Sequence, residues 1–320
     1  MSTADPNPPP RNAPGHSPGA FLGEGLRPGG PHVVAVGGGH GLAATLRAAR
    51  RYAGRITAIV TVADDGGSSG RLRQDLGVPA LGDMRLCLSA LAADPQSVWA
   101  RTSEHRFEAG PLEGHAAGNL ILLALTRTAG GLVPALAAAG ELVGAVGDVL
   151  PATTESVVLK ARVRDGAGRP ETVEGQVAVA TTAPVEEISL VPADALAPPE
   201  AVAAIAAADQ IVLGPGSLFT SVLAAAVVPA IREALAATGA RKVHVANLRE
   251  QAHETTGFTV ADHVAALHRH GVPVDVVLHD PAALALGDLP GVLVVAAELA
   301  RPDRPVHAPD LLAAALEALV

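Results

Sequence analysis

Short runs of β-branched residues alternate with stretches of helical periodicity in the first part of the chain. Residues 32–36 form an apolar run that ends at Gly37, and residues 41–51 then carry apolar side chains at helical spacing. Residues 55–62, rich in Ile, Val and Thr, predict a second strand. A strand, a glycine turn, a helix and another strand make up the βαβ unit of a parallel sheet.

The same alternation continues towards the C-terminal end. Four further strands are predicted there, at residues 210–213, 242–247, 274–278 and 292–295. Alanine-rich helices are predicted between most of them, at residues 200–208, 219–226 and 259–268. Alternation through the chain predicts a Rossmann-like, doubly wound α/β fold, whose mainly parallel sheet carries helices on both faces.

A different pattern interrupts this alternation near the middle of the chain. Residues 157–164 and 172–180 are typical of two strands, joined by the Asp-Gly-Ala-Gly sequence of residues 165–168. Glycine adopts positive φ without strain, so this connection predicts a β-hairpin excursion around residues 157–180. Residues 183–199 contain four prolines and are expected to form a connector back into the main sheet.

Composition indicates the class of the protein and its compartment. Residues 1–30, rich in Pro and Gly, lack an apolar signal-peptide core and predict a disordered tail before a single α/β domain at residues 31–320. No uninterrupted apolar run of about eighteen residues occurs, so no membrane-spanning helix is expected. The one cysteine, Cys87, lies in an apolar stretch, which predicts a buried side chain in a reducing compartment. We therefore expect a cytoplasmic protein that does not insert into a membrane.

The charge and the scarcity of aromatic residues restrict the ligands. A net charge of −9 excludes the broad basic field that holds a nucleic-acid backbone. An acidic chain must bind an anionic ligand locally, through backbone N–H groups and a few arginines. Only four Phe, one Tyr and one Trp are present, so few aromatic faces are available to stack on a flat ligand ring.

A glycine-rich turn follows the first predicted strand. Gly37, Gly38, Gly39 and Gly41 occur together, and Gly39, Gly41 and Ala44 satisfy the G-x-G-x-x-A spacing. Glycines let the backbone approach a phosphate closely, and the N-terminus of the following helix offers unpaired N–H groups. We interpret this turn as the phosphate-binding part of a ligand site. The spacing alone also fits an NAD site, or close packing of a helix on a strand.

Two acids and two serines follow the second predicted strand. Asp64, Asp65, Ser68 and Ser69 fall at the C-terminal edge of the sheet, where open α/β sheets bind ligands. Asp64 follows Gly39 near the spacing of about 20 residues at which an acid accepts ribose hydroxyls. Neighbouring carboxylates also suit a Mg²⁺ ion between ligand phosphates, so both roles stay open.

Polar residues also mark two further predicted helices. Asp83 either caps a helix or belongs to the site, and Arg85 either reaches ligand phosphates or pairs with Asp83. His115 and Asn119 are four residues apart, which predicts that they share one face of an otherwise apolar helix. Polar side chains on such a helix need partners or a ligand, and with Gly118 between them they indicate a site.

A second glycine loop follows the strand predicted at residues 210–213. Gly214, Gly216 and Ser217 suit a second anion cradle, with Ser217 as the N-cap of the next helix. Residues 247–258 form a polar segment after the next strand, which either closes over a ligand or solvates a connector.

Together and in this order, the motifs resemble those of the YvcK-like proteins, also called gluconeogenesis factors, of the wider CofD-like group. The matching motifs begin at Gly37, Ala63, Gly82, Gly114 and Gly214, and the resemblance covers roughly residues 32–300. The resemblance implies a cytoplasmic Rossmann-like protein that binds UDP-sugars such as UDP-N-acetylglucosamine. It also implies a role in cell shape and wall-precursor metabolism on gluconeogenic carbon. The CofD branch instead transfers a 2-phospholactyl group to a deazaflavin.

Two positions depart from the pattern of the related proteins. His40 stands where many of them carry Thr, and His253 stands where they tend to carry Gly.

Our leading hypothesis is a nucleotide-sugar-binding regulator, because the motifs contain no evident nucleophile or matched acid–base pair. The residues expected at the ligand are Gly39 and Gly41 at the diphosphate, Asp64 at ribose or sugar hydroxyls, Asn119 at the uracil or sugar, and Gly216 with Ser217 at the second phosphate region. The alternative is a phospholactyl-type transferase in which Asp64 and Asp65 hold Mg²⁺. The alanine-rich surface is compatible with a homodimer, and a regulatory partner protein is left open.

Overall fold

The computed structural model of the protein describes residues 25–164, 168–182 and 184–320. In chain order, its strands are β1 (His32–Gly37), β2 (Arg55–Val60), β3 (Asp148–Pro151), β4 (Val158–Arg164), β5 (Pro170–Glu174), β6 (Val185–Val191), β7 (Gln210–Leu213), β8 (Arg241–Val245), β9 (Val276–His279), β10 (Leu293–Ala296), β11 (Ala300–Arg301) and β12 (Arg304–His307).

The helices lie mostly between these strands. They are α1 (Gly39–Ala49), α2 (Gly67–Leu76), α3 (Gly82–Leu91), α4 (Val98–Glu104), α5 (Ala117–Thr128), α6 (Leu132–Val143), α7 (Gln176–Thr181), α8 (Pro199–Ala206), α9 (Ala224–Ala226), α10 (Pro229–Ala237), α11 (Val260–Arg269) and α12 (Pro309–Glu317). A π-helical segment, Leu218–Leu223, leads directly into α9.

Seven strands form a parallel sheet in the order β10-β9-β8-β7-β1-β2-β3. From the central β1 the chain first adds β2 and β3 on one side, and later places β7 to β10 on the other side. This is the doubly wound arrangement that the alternating pattern predicts, with its topological switch point between β1 and β7. All six residues of β1 are buried, as a strand covered on both faces requires.

The strands of the central sheet that the sequence predicts are confirmed, and their ends lie within two residues of the predicted ones. The edge strand β3 is missing from the prediction. It is only four residues long, two of its residues are half-buried, and it ends at Pro151, so it lacks the continuous apolar run of the inner strands.

An antiparallel sheet of β5, β4 and β6 accompanies the main sheet. The pairing of β4 with β5 confirms the predicted hairpin, although residues 165–167 of its connection lie outside the described residues. The second predicted strand, residues 172–180, is wrong beyond Glu174, because the chain forms α7 there. The Asp65 carboxylate accepts hydrogen bonds from the N–H groups of Gln176 and Val177 and thereby caps this helix.

The predicted connector at residues 183–199 is wrong in its first half, because β6 pairs antiparallel with β4. Val185, Ile188 and Leu190 are buried, whereas the residues between them are half-buried or exposed. This alternation is typical of a strand, and the prolines around it obscured the pattern. Residue 183 and residues 1–24 of the predicted tail lie outside the described part of the chain.

The core is aliphatic, as the composition predicts. Its one tyrosine, Tyr52, is fully buried and donates a hydrogen bond to Gln210 Oε1 at 2.6 Å. Cys87 is also fully buried, and burial raises the pKa of its thiol, which confirms its prediction as a small core residue. Within the described residues, only the bent pair Leu218–Ala226 and Pro229–Ala237, at 79°, has the length and apolarity of a membrane span, and no single helix does.

Candidate functional site

The glycine turn after β1 is in close contact with two other loops. A side-chain carbon at Gly38 would overlap the Asp83 carboxylate, and one at Gly41 would overlap the carbonyl oxygen of Pro215 in the loop after β7. The Asp83 carboxylate also accepts a hydrogen bond from the Gly39 amide, the first of α1. Glycine is therefore needed here for close packing, and a carboxylate already faces part of the α1 N-terminus.

Asp83 and Arg85 take neither of the ordinary roles considered for them. Leu81 occupies the N-cap position of α3, and the hydrogen bond that Asp83 accepts comes from α1 rather than from its own helix. Arg85 is nearly buried and forms its ion pair with Glu104 of α4. The predicted Asp83–Arg85 pair is therefore wrong, because Glu104 supplies the partner carboxylate.

The neighbouring carboxylates of Asp64 and Asp65 have different partners. Asp64 accepts hydrogen bonds from the Gly66 amide, at 2.9 Å, and from the Ser69 hydroxyl. Asp65 accepts the two α7 amides, both at 2.9 Å. The Asp65 carboxylate therefore serves as the cap of α7, and the joint Mg²⁺ site at Asp64 and Asp65 stays a prediction.

The negative charge of Asp64 also acts on Asp83, and these two carboxyl groups are here termed the acid pair. The carboxylate that acts on Asp64 itself is that of Asp65. Burial, followed by the negative charge of Asp64, raises the pKa of Asp83 to about 6. Burial also raises the pKa of Asp64, against the hydrogen bonds from Gly66 and Ser69 that lower it. Interacting carboxylates with raised pKa values are typical of sites that bind a cation or transfer a proton. The sequence did not reveal this pair, because Asp64 follows β2 whereas Asp83 belongs to the first turn of α3.

A chain of hydrogen bonds runs beside this acid pair. Arg85 Nε donates to Asn119 Oδ1 at 3.2 Å, and Asn119 Nδ2 donates to Ser68 Oγ at 3.1 Å. Ser68 Oγ lies 3.0 Å from His115 Nδ1. Because arginine can only donate, the directions of the first two hydrogen bonds are fixed, and the direction of the Ser68–His115 bond follows the tautomer of His115.

The same hydrogen bonds bear on two predictions about His115 and Asn119. His115 precedes α5, so the two side chains do not share a helical face, although both contact Ser68. Asn119 is 2% exposed, and Arg85 and Ser68 use its acceptor and one of its donors. Its contact with a uracil or sugar stays a prediction. Gly118 packs against the Arg85 side chain, which a Cβ there would displace.

The loop after β7 binds a carboxylate of the chain itself. Ser217 stands at the N-cap of the π-helical segment, but its hydroxyl accepts from Gln251 Nε2 at 2.6 Å instead of capping the helix. The amides of Phe219 and Thr220 donate to the buried Glu254 carboxylate at 2.7 and 3.1 Å. The chain's own carboxylate therefore occupies this helix N-terminus, and the second phosphate cradle at Gly214, Gly216 and Ser217 stays a prediction.

A cavity of about 510 Å³ opens between the glycine turn, the loops after β7 and β8, and the β11–β12 hairpin. Four exposed arginines line it, Arg47, Arg249, Arg301 and Arg304. Arg301 pairs with Asp310 at 2.6 Å, whereas the other three form no ion pair within the described residues. Positive charge is thus concentrated in one cavity of a chain with a net charge of −9, which favours an anionic ligand.

The predicted site residues gather at one edge of the sheet but fall into two groups. Gly41 and Gly216 line the arginine cavity, together with His40. Outside the cavity lie Gly37, Gly38 and Gly39 of the turn, Gly214 and Ser217 after β7, the acids Asp64, Asp65 and Asp83, and the network members Ser68, Ser69, Arg85, His115, Gly118 and Asn119. The glycine turn therefore contacts both groups, with Asp83 on one side and the Pro215 loop of the cavity on the other.

Sequence reasoning missed the cavity's arginines. Arg249 belongs to the polar segment 247–258, whose position after a strand was the one available signal. Arg47 occupies an ordinary exposed helix position, while Arg301 and Arg304 belong to a short hairpin that the sequence pattern does not predict.

Comparisons with known proteins agree with this architecture. The family model described as 2-phospho-L-lactate transferase CofD matches residues 33–295. A "Putative gluconeogenesis factor" of Mycobacterium tuberculosis is 43% identical over 304 residues, with 89% of each chain covered. A "Gluconeogenesis factor" of Halalkalibacterium halodurans is 40% identical over 253 residues, with 78% of this chain and 77% of that protein covered.

A solved structure is similar over most of the fold. The crystal structure of a UPF0052 family member from Bacillus halodurans matches with a TM-score of 0.84 at 34% identity, covering 91% of this chain and 99% of that chain. These matches confirm the resemblance that the ordered motifs indicate.

Proposed function

The chain belongs to the CofD family and groups with its gluconeogenesis factors, and from this premise we propose that it binds a nucleotide sugar such as UDP-N-acetylglucosamine. In this proposal the protein is a cytoplasmic regulator without catalysis. The ligand-bound protein supports cell shape and wall-precursor metabolism on gluconeogenic carbon, and a partner protein recognises this ligand-bound form.

The arginine cavity is the observation that supports this proposal most. It lies at the carboxyl ends of β1 and β7, the switch point at which open α/β sheets bind nucleotides. A volume of about 510 Å³ is that of a small-molecule site. Arg47, Arg249 and Arg304 have no carboxylate partner in the described chain, so their guanidinium groups are available to phosphate oxygens.

The structure changes the residue roles within this proposal. We assign the diphosphate to the arginines and to the cavity edge at Gly41 and Gly216, whereas Gly39, predicted at the diphosphate, lies outside the cavity. Glu254 occupies the helix N-terminus predicted for the second phosphate region. Asp64 keeps its proposed role as an acceptor for ribose or sugar hydroxyls, at the far side of the glycine turn.

Titration calorimetry with UDP-N-acetylglucosamine tests the proposal. We expect saturable binding that weakens as salt concentration rises, because exposed arginine–phosphate pairs are screened. The Arg249→Ala variant should bind at least about tenfold more weakly, since a hydrogen bond to a charged group contributes about 1.5–3 kcal/mol. Arg101→Ala, an exposed arginine of α4 outside the cavity, is the matched control. Absence of heat and of saturation at millimolar ligand, with folded protein, would exclude this function.

A phospholactyl-type transferase is a second candidate, favoured by the Asp64–Asp83 pair and by the family model. Asp64, together with Asp83 or with Asp65, supplies carboxylate oxygens of the kind that Mg²⁺ prefers. When bound, Mg²⁺ would neutralise charge on the transferring phosphate.

Incubation of the protein with Mg²⁺, an activated phospholactate donor and a deazaflavin separates the two candidates. Formation of the phospholactyl product, and its loss in Asp83→Asn, would establish the transferase and replace the regulator. If no phospholactyl product forms under conditions in which the protein binds UDP-N-acetylglucosamine, the proposal of a nucleotide-sugar-binding regulator stands.

A further inference from the structure

One loop supplies a large part of the cavity wall. Residues 247–255 follow β8, and Asn247, Leu248, Arg249 and Gln251 of this loop all line the cavity. The loop contains no helix or strand, so its shape depends on the contacts that its side chains make. Those contacts lie almost entirely on the neighbouring loop after β7.

Glu254 is the buried anchor of this loop. Its side chain is 2% exposed, and Oε1 accepts the Phe219 amide at 2.7 Å and the Thr220 amide at 3.1 Å. Oε2 accepts the Thr220 hydroxyl at 3.1 Å. The Ser217 hydroxyl also donates to this carboxylate. Two of these four donors are amides at the N-terminus of the π-helical segment, where helix geometry leaves amides without partners.

Two further side chains join the same pair of loops nearer the cavity. Asn247 brackets Gly216, because its Oδ1 accepts the Gly216 amide at 3.1 Å and its Nδ2 donates to the Gly216 carbonyl at 2.9 Å. Gln251 accepts the Leu218 amide at 3.3 Å and donates to Ser217 Oγ at 2.6 Å. Asn247, Gln251 and Glu254 therefore connect the two loops by hydrogen bonds. Asn247 and Gln251 also line the cavity, whereas Glu254 is buried.

Burying a carboxylate in a core position costs free energy of folding. No lysine, arginine or histidine pairs with Glu254 in the described chain, so two helix amides and the hydroxyls of Thr220 and Ser217 compensate its charge. Removal of the carboxylate would leave these donors unsatisfied, and the loops could restore hydrogen bonds only by moving. The carboxylate thus determines the position of the loop, which an apolar residue of similar size would not do.

We infer that Glu254 is a positioning residue of the ligand cavity, which acts through the 247–255 loop to hold Arg249 and Gln251 in place. The link to ligand affinity rests on the proposed function, whereas the link to loop order does not. The two parts are therefore tested separately.

Hydrogen exchange without ligand tests the structural part. In Glu254→Ala we expect the amides of residues 214–223 and 247–255 to exchange at least tenfold faster than in the wild type. Leu91→Ala, which truncates a fully buried side chain of α3, serves as a control with a comparable loss in Tm. Sodium formate should restore protection in E254A and leave L91A unchanged, because formate supplies the missing carboxylate.

Equal exchange of these two segments in E254A and L91A would overturn the inference, as would a failure of formate to restore protection. If E254A does not fold, E254Q replaces it, since the amide keeps one oxygen acceptor and the size of the side chain. E254Q should then show faster exchange in the same two segments only, and unchanged exchange there would overturn the inference.

Calorimetry with UDP-N-acetylglucosamine tests the link to affinity. We expect Kd to rise at least tenfold in E254A and less than twofold in L91A, with partial recovery of E254A in formate. An equal Kd in the two variants would overturn the positioning role. If the wild type itself does not bind, the proposed function fails, and the exchange experiment alone decides whether Glu254 holds the loop.

Discussion

Replacing Asp83 by asparagine should stabilise the protein at neutral pH. The folded protein raises the pKa of Asp83 from 3.8 to about 6, mainly through burial and then through the charge of Asp64. Between these values the native state keeps a proton that the unfolded state has released. The carboxyl group therefore favours folding less and less as pH rises through this window, and above it the ionised form is a constant penalty.

The structure sets the size of this effect. A shift of about two units corresponds to about 3 kcal/mol at pH 7.5, and the partial exposure of Asp83 makes this an upper value. Asparagine keeps an oxygen acceptor for the Gly39 amide but carries no charge. We therefore expect D83N to gain about 1–3 kcal/mol at pH 7.5, and about half of that gain at pH 5.

Urea unfolding followed by circular dichroism at the two pH values measures this difference. Asp288→Asn, an exposed carboxylate in a loop, is the matched control and should change stability by less than about 0.5 kcal/mol. A D83N variant that is less stable than the wild type at pH 7.5, or a gain that is the same at both pH values, would refute the reasoning.

Three further predictions concern other parts of the site. The double variant Arg249→Ala/Arg304→Ala should lose at least about 100-fold in UDP-N-acetylglucosamine affinity by calorimetry, and should show a shallower salt dependence than the wild type. Asp65→Ala should lose about 1–2 kcal/mol of stability in urea, with faster hydrogen exchange confined to residues 170–182, because α7 loses its cap. His253→Gly should raise stability by about 1 kcal/mol in thermal unfolding, because His253 has φ 69° in the region that favours glycine.

Each of these predictions has a contradicting result. Unchanged affinity in the double arginine variant would remove the cavity from the ligand site. Unchanged exchange at α7 in D65A would show that Asp65 is free for another role. A destabilised H253G would mean that the exposed imidazole contributes more than the backbone strain costs.

The main sheet was predictable because its signals are local. Inner strands such as β1 and β7 are buried on both faces and therefore appear as continuous apolar runs. The strand β6 was missed because prolines flank its alternating pattern, and the helix α7 was missed because a distant residue caps it. Residues 176–181 become helical where Asp65, more than a hundred positions earlier, accepts their first amides.

The location of the candidate site was predictable from the sequence, but the roles of its residues were not. The rule that ligands bind at the carboxyl edge of an open sheet located the glycine turn and Asp64 correctly at that edge. It did not show that Glu254 occupies the helix N-terminus after β7, or that Asp83 faces Asp64. The cavity arginines come from separate segments of the chain, and only the fold brings them together.

A crystal structure of the protein with UDP-N-acetylglucosamine tests the central claim most directly. We predict density for the ligand in the arginine cavity, with its diphosphate within hydrogen-bond distance of Arg249 and Arg304 and with the Glu254 carboxylate still on the Phe219 and Thr220 amides. Diphosphate density on those two amides with Glu254 displaced, or ligand bound away from the arginines, would contradict the account.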